Sequence, residues 1–199
     1  MDVIVSNRVA KLTPGGPMMG GLASALLPAV RKSGVVWFGS SGKLRKVVPG
    51  ASPLVQVETY GRGTIATVDL PEQHYSGFYE GFANSALWPL MHSRPDLSRA
   101  SAHDYGAYRE VNAYMARTLA TFGGADSTFW IHDYHFLPLA AELRKLGITR
   151  EIGFFLHTPW PSRRIITRLP QFRELAQAML AYDLIGFQTD RDRDNFAEL

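Results

Sequence analysis

Five short runs of the chain are apolar at nearly every position: Val3-Ile4-Val5, Val35-Val36-Trp37-Phe38, Phe129-Trp130-Ile131, Ile152-Gly153-Phe154-Phe155-Leu156 and Leu184-Ile185-Gly186-Phe187. Runs this short, rich in β-branched and aromatic residues and apolar on both faces, predict strands of a sheet covered on both sides. Between them the apolar period lengthens. Residues 22–32 place Leu22, Ala25, Leu26, Ala29 and Val30 on one helical face and lead to Gly34, a residue suited to the left-handed position after a helix. Residues 137–146 behave likewise and lead to Gly147, and further helices are predicted over 105–122 and 172–181. Two extended runs, 54–59 and 64–68, flank Tyr60-Gly61-Arg62-Gly63 and predict a hairpin or adjacent edge strands. Short strands alternating with longer helices predict an α/β fold with a mostly parallel, Rossmann-like sheet. With no repeat, low-complexity tract or linker, residues 1–199 are expected to form a single domain.

Composition narrows the class. The chain is 46% hydrophobic, 12% aromatic and 20% charged, enough apolar material for a core, which excludes disorder, collagen and coiled coil. Net charge is +3, divided as +4 over the first hundred residues and −1 over the remainder. The basic clusters, Lys43-Leu44-Arg45-Lys46 and Arg163-Arg164, are too short to grip a nucleic-acid backbone and read as solvated charge. A small anionic ligand suits this balance better. The absence of cysteine excludes disulfides, thiolate metal sites and thiol catalysis. No window reaches about 18 apolar residues, and Met-Asp-Val-Ile-Val-Ser-Asn-Arg lacks the order of a signal peptide, so a cytoplasmic protein with no membrane partner is expected.

In open α/β sheets ligands bind beyond the carboxyl ends of the strands, where loops diverge and helix N-termini point amides into the gap. The predicted strands are followed by Ser6-Asn7-Arg8, Gly39-Ser40-Ser41-Gly42, His132-Asp133-Tyr134-His135, His157-Thr158-Pro159 and Gln188-Thr189-Asp190, all polar or glycine-rich. One ligand-binding edge is therefore expected. Arg8 suits bidentate phosphate contact, the competing reading being an ion pair with Asp133. The loop Thr13-Pro14-Gly15-Gly16-Pro17-Met18-Met19-Gly20-Gly21 could bring a phosphate against bare amides, although it is neither a Walker loop nor the dinucleotide fingerprint. His132, Asp133, His135 and His157 include good metal ligands, which keeps a metal-dependent hydrolase as a rival reading. Yet His132 and His135 straddle a strand-to-helix junction without a carboxylate cluster, so no metal or other cofactor is expected. Asp133 is read instead as an acceptor for the hydroxyls of a polyhydroxylated ligand, able also to cap a helix. Residues 75–89 hold five aromatics among Asn, Ser and Gly, the composition of a sugar-facing wall. Phe78 and Phe82, four apart, read as core, leaving Tyr79 and Trp88 as the ligand candidates.

Val5-Ser6-Asn7-Arg8, Gly20-Gly21-Leu22, Trp37-Phe38-Gly39, Tyr79 with Leu87-Trp88-Pro89, Trp130-Ile131-His132-Asp133-Tyr134-His135, Phe154-Phe155-Leu156-His157 and Tyr182-Asp183-Leu184-Ile185-Gly186-Phe187-Gln188-Thr189 occur in this order along nearly the whole chain. Together they resemble the trehalose-6-phosphate synthase family, retaining glycosyltransferases with two Rossmann-like domains in the GT-B arrangement. The resemblance implies transfer of glucose from UDP-glucose to glucose 6-phosphate. It implies that Arg8 and Tyr79 hold the acceptor's phosphate, Asp133 its hydroxyls, and Gly20 and Gly21 the donor's diphosphate. Trp88 and Thr158 would govern anomeric selectivity, with Asp133 and His157 as the catalytic pair and His157 beside the transferring glucose. Ser40 departs from the family's usual Trp-Phe-Gly-Trp-Ser-Gly, which keeps open a glucosylglycerol-phosphate synthase-like enzyme with a smaller acceptor. A non-catalytic sugar-phosphate-binding module stands as a third reading. The family's chain is about twice this length or more, so the expectation is an N-terminal, acceptor-side portion without the donor-binding C-terminal domain, compatible with a homo-oligomer.

Overall fold

A computed structural model describes residues 2–9, 21–48, 53–122 and 126–199. Seven strands are formed among the described residues: β1 Val3–Arg8, β2 Val36–Arg45, β3 Val55–Tyr60, β4 Gly63–Pro71, β5 Phe129–His132, β6 Ile152–Phe155 and β7 Leu184–Gly186. They make one sheet in the order β3-β4-β2-β1-β5-β6-β7. Every pairing is parallel except that of β3 with β4, the expected hairpin, which closes at Tyr60 and Gly63.

The helical elements are α1 Gly21–Ser33, α2 Glu72–Tyr75, a π-helix Ser76–Leu87, α3 Trp88–Met91, α4 Ala102–Leu119, a 3-10 turn Tyr134–Phe136, α5 Leu139–Lys145, α6 Arg163–Ile166, α7 Phe172–Met179 and α8 Asp190–Ala197. The strands are apolar on both faces because both are covered. Val3, Val5, Val36, Phe38, Ala66 and Val68 belong to a large core built with the π-helix, α4 and α5. The alternate positions Trp37 and Ile65 pack with Ala23, Leu27 and Val30 of α1 in a separate small cluster.

Beyond shifts of up to three residues at other element ends, three features differ from the sequence-based expectation. The segment Gly39-Ser40-Ser41-Gly42 is not a loop after a short strand: β2 continues to Arg45, and its register against β4 shifts between Ser40 and Leu44. The bulge absorbs the polar residues that the apolar pattern excludes from a strand. The helix expected over 137–146 is regular only from Leu139, after Pro138 at its N-cap. Residues 72–91 form a continuous helical run that the sequence did not announce. Gly77 and Gly81, poor helix formers, lie in it because α4 presses close: a Cβ on Gly77 would stand 2.7 Å from Ala107 Cβ, and one on Gly81 2.5 Å from Asp104 Cγ.

Candidate functional site

All the parallel strands present their carboxyl ends to the same edge, and the candidate residues gather there. Arg8 closes β1 opposite Ser40 of β2, where the ladder register shifts after Ser6. The buried Trp37 indole donates to Ser6 Oγ at 2.9 Å, and Ser6 Oγ donates to the Arg8 carbonyl at 3.1 Å, which fixes the backbone from which Arg8 projects. The exposed guanidinium then lies against the β2 bulge. Gly42 sits there at φ +79°, and a Cβ on it would stand 2.7 Å from Arg8 Nη2. Ser40 Oγ accepts from the Gly42 amide at 3.0 Å and holds the bulge in shape. No carboxylate comes within ion-pair distance of Arg8 among the described residues, so the expected rival pair with Asp133 is not formed.

A file of rings leads away from Arg8. Tyr75 stacks on Tyr79 at 5.6 Å and 18°, Tyr79 on His135 at 5.7 Å and 11°, and His135 lies 4.2 Å from Tyr134. Trp88 follows, 5.5 Å from Tyr134 and 43% exposed. Burial raises the Tyr75 pKa, helped by Tyr79 and Glu80, and the Arg8 charge opposes the rise. Phe78 and Phe82 are fully buried, as expected, leaving Tyr79 half-buried and Trp88 exposed.

Asp133 stands at the end of β5 with φ 76° and ψ 166°, a backbone state that side-chain-bearing residues rarely adopt. Neighbours hold it there: its N–H donates to the Phe155 carbonyl at 2.9 Å, and its carbonyl accepts from Phe136 at 3.1 Å. Its carboxylate caps the 3-10 turn by accepting from Tyr134 N at 3.0 Å. Two buried residues of α4 anchor that turn. Tyr108 donates its hydroxyl proton to the Tyr134 carbonyl at 2.7 Å and accepts from Leu137 N at 3.2 Å, and Asn112 Nδ2 donates to the His135 carbonyl at 3.1 Å. Burial raises the Asp133 pKa, against lowering contributions from the Tyr134 N–H and from His157.

His157, after β6, meets His132 of β5, Nε2 to Nδ1 at 2.9 Å. Thr158 is buried and donates to Met91 Sδ at 3.1 Å, which ties it to the same helix, α3, that begins with Trp88. The donor candidates are less well defined. Gly20 lies outside the described residues, and Gly21 opens α1 with no atom within 4 Å of an added Cβ. Among the described residues no three His, Asp or Glu side chains converge as metal ligands. The hydrolase reading finds no ligand set in them: His132 and His157 bond one another, and the His135 ring lies among aromatic rings.

Arg8, Tyr79, Asp133, His157, Trp88 and Thr158 thus share one edge, but the residues that hold them there carried little sequence signal. Gly42 under Arg8, Asn84, whose Oδ1 accepts from the Tyr134 hydroxyl at 3.0 Å, and Tyr108 and Asn112 are distant in sequence from what they position. His132 was visible, as part of His-Asp-Tyr-His, but only its bond to His157 reveals what it does.

Comparison with known proteins gives this edge a context. The profile of glycosyltransferase family 20 matches residues 11–199. A trehalose-6-phosphate synthase of Enterobacter sp. (strain 638) is 42% identical over 196 residues, covering 98% of this chain and 40% of the relative. The crystal structure of an α,α-trehalose-phosphate synthase (UDP-forming) from Burkholderia xenovorans in complex with glucose-6-phosphate superposes with TM-score 0.88 at 42% identity, over 98% of this chain and 42% of that one. An E. coli structure described as trehalose-6-phosphate bound with UDP-2-fluoro glucose superposes with TM-score 0.86 at 39% identity, over 98% of this chain and 41% of that one. The chain spans about 40% of the length of the curated relatives it matches.

Proposed function

Because the chain belongs to glycosyltransferase family 20, we propose that it is the acceptor-side portion of a retaining glycosyltransferase that moves glucose from UDP-glucose to glucose 6-phosphate. The observation that carries this reading is the meeting at one sheet edge of an exposed guanidinium that no ion pair engages among the described residues, a file of phenol-bearing rings and a half-buried carboxylate on a strained backbone. Arg8 and Tyr79 hold the acceptor's phosphate, where a guanidinium fork and a phenol donor match its oxygens. Asp133 accepts from the sugar hydroxyls, its position set by the Tyr134 amide and the α4 anchors rather than by the ligand. Gly20 and Gly21 approach the donor's diphosphate, Trp88 and Thr158 govern the anomeric outcome, and His157 lies beside the transferring glucose. Relatives described in complex with glucose-6-phosphate and with UDP-2-fluoro glucose support both substrates.

In this reading no side chain attacks the sugar. The acceptor hydroxyl oxygen bonds to the anomeric carbon on the face that UDP leaves, the bond to the departing phosphate breaks, and that phosphate takes the hydroxyl proton. Asp133 and His157 orient the reactants and stabilise charge. Residues 1–199 form one Rossmann-like domain, and a donor-binding domain supplies the remaining contacts to the nucleotide. We place the protein in the cytoplasm with no nucleic-acid partner; no helix among the described residues is long and apolar enough to cross a membrane.

Ser40 favours a second reading. It is buried directly opposite Arg8 and offers no ring face to a pyranose, which suits a smaller acceptor such as glycerol 3-phosphate. Calorimetric titration of the chain with glucose 6-phosphate and with glycerol 3-phosphate decides between them. Arg8→Ala should weaken the preferred ligand at least about tenfold, the loss of roughly 1.5–3 kcal/mol expected for a hydrogen bond to a charged group. Unchanged affinity would remove Arg8 from the phosphate site.

A further inference from the structure

The bond between His132 and His157 joins two imidazoles, and its direction has a chemical consequence. A neutral imidazole carries one N–H, so one partner donates and the other accepts. His132 is buried in β5, 6% exposed, and its Nε2 has no partner among the described residues. If His157 donated, the His132 proton would be forced onto that Nε2 and enclosed without an acceptor. If His132 donates, the enclosed Nε2 is a bare lone pair. Orphaned buried N–H groups are the rarer outcome in folded proteins, so the second arrangement is favoured. Burial, with a contribution from His157, lowers the His132 pKa to about 4, which keeps it neutral near pH 7.

We propose that His132 is a positioning residue: its Nδ1–H, donated to His157 Nε2, locks His157 into the tautomer with its proton on Nδ1. His157 then offers a fixed N–H donor from a half-exposed ring at the sheet edge. No hydrogen bond engages this nitrogen among the described residues. A donor at that place suits an oxygen of a bound sugar or phosphate, not an ammonium or a metal cation. This functional use rests on the glycosyl-transfer reading above, whereas the tautomer itself does not.

Nitrogen–proton multiple-bond correlation spectra of the 15N-histidine-labelled chain, without ligand, read the tautomer directly. The expected pattern for His157 is a protonated Nδ1 and a bare Nε2. A protonated Nε2, or averaging between the two forms, would overturn the proposal. His132→Asn places an amide nitrogen near the position of Nδ1 and should retain the pattern, whereas His132→Phe should lose it. Retention in the Phe variant would show that something other than His132 sets the tautomer. Should the chain fail to bind sugar phosphates while these spectra come out as expected, the functional reading falls and the His132–His157 assignment stands.

Discussion

His135 shows at the scale of one residue how burial becomes pH dependence. Its ring lies between Tyr79 and Tyr134, both ring nitrogens are buried without partners among the described residues, and burial lowers its pKa to about 3. An unfolded chain would protonate it near 6.5, so below that pH the unfolded state binds more protons and native stability falls as pH drops toward 3. His132, lowered to about 4, adds loss in the same direction. His135→Phe keeps an aromatic ring among its neighbours and removes one titration. It should raise stability near pH 7 by roughly 1–3 kcal/mol, the cost of the stranded ring N–H, gain on the order of a few kcal/mol more at pH 4, and move the acid-unfolding midpoint measured by circular dichroism to lower pH. An unmoved midpoint would mean that His135 does not stay neutral in the fold. The sequence showed His135 as a histidine in a polar motif and a metal candidate. Its packing role was not legible there, because Tyr79, which completes the stack, lies 56 positions earlier in the chain.

At the scale of elements, strands were readable where burial on both faces left an uninterrupted apolar run, as in Phe129-Trp130-Ile131. They were misread where the pattern broke before the strand did, as at Ser40 and Ser41 of β2. The helical run through the π-helix was hidden by Gly77 and Gly81, whose use is the close approach of α4 rather than local helix stability. That approach has a functional return, since α4 carries Tyr108 to the turn that aims Asp133. Tyr108→Phe retains the buried ring but leaves the Tyr134 carbonyl and the Leu137 amide without this partner. Urea unfolding should show a loss of roughly 1–3 kcal/mol, the cost of stranding buried backbone groups. A loss within error of zero would mean that other groups satisfy the turn.

At the scale of the whole molecule, the sheet has two unlike borders. β3 exposes Gln56, Glu58 and Thr59 along with Val57, and such polar and charged side chains discourage strand-to-strand association. The opposite border, β7, exposes Leu184 at 61%, and Leu180 just before it is exposed at 72%. Exposed leucines at a sheet border offer an apolar contact point to another copy of the chain. Light scattering of the chain should therefore show concentration-dependent association, and Leu184→Lys should reduce it without altering the circular dichroism spectrum. Association that persists unchanged in this variant would move the contact elsewhere. The two faces are as unlike as the two borders. One carries the π-helix, α4 and α5 over a continuous core, whereas among the described residues six buried ones join α1 to the other. Protection from solvent exchange should be correspondingly lopsided, with amides of α1 exchanging through a local opening and those of α4 only with the sheet as a whole. The side of the sheet that begins at Gly21 is then expected to run on a faster clock than the side that holds Asp133 in place.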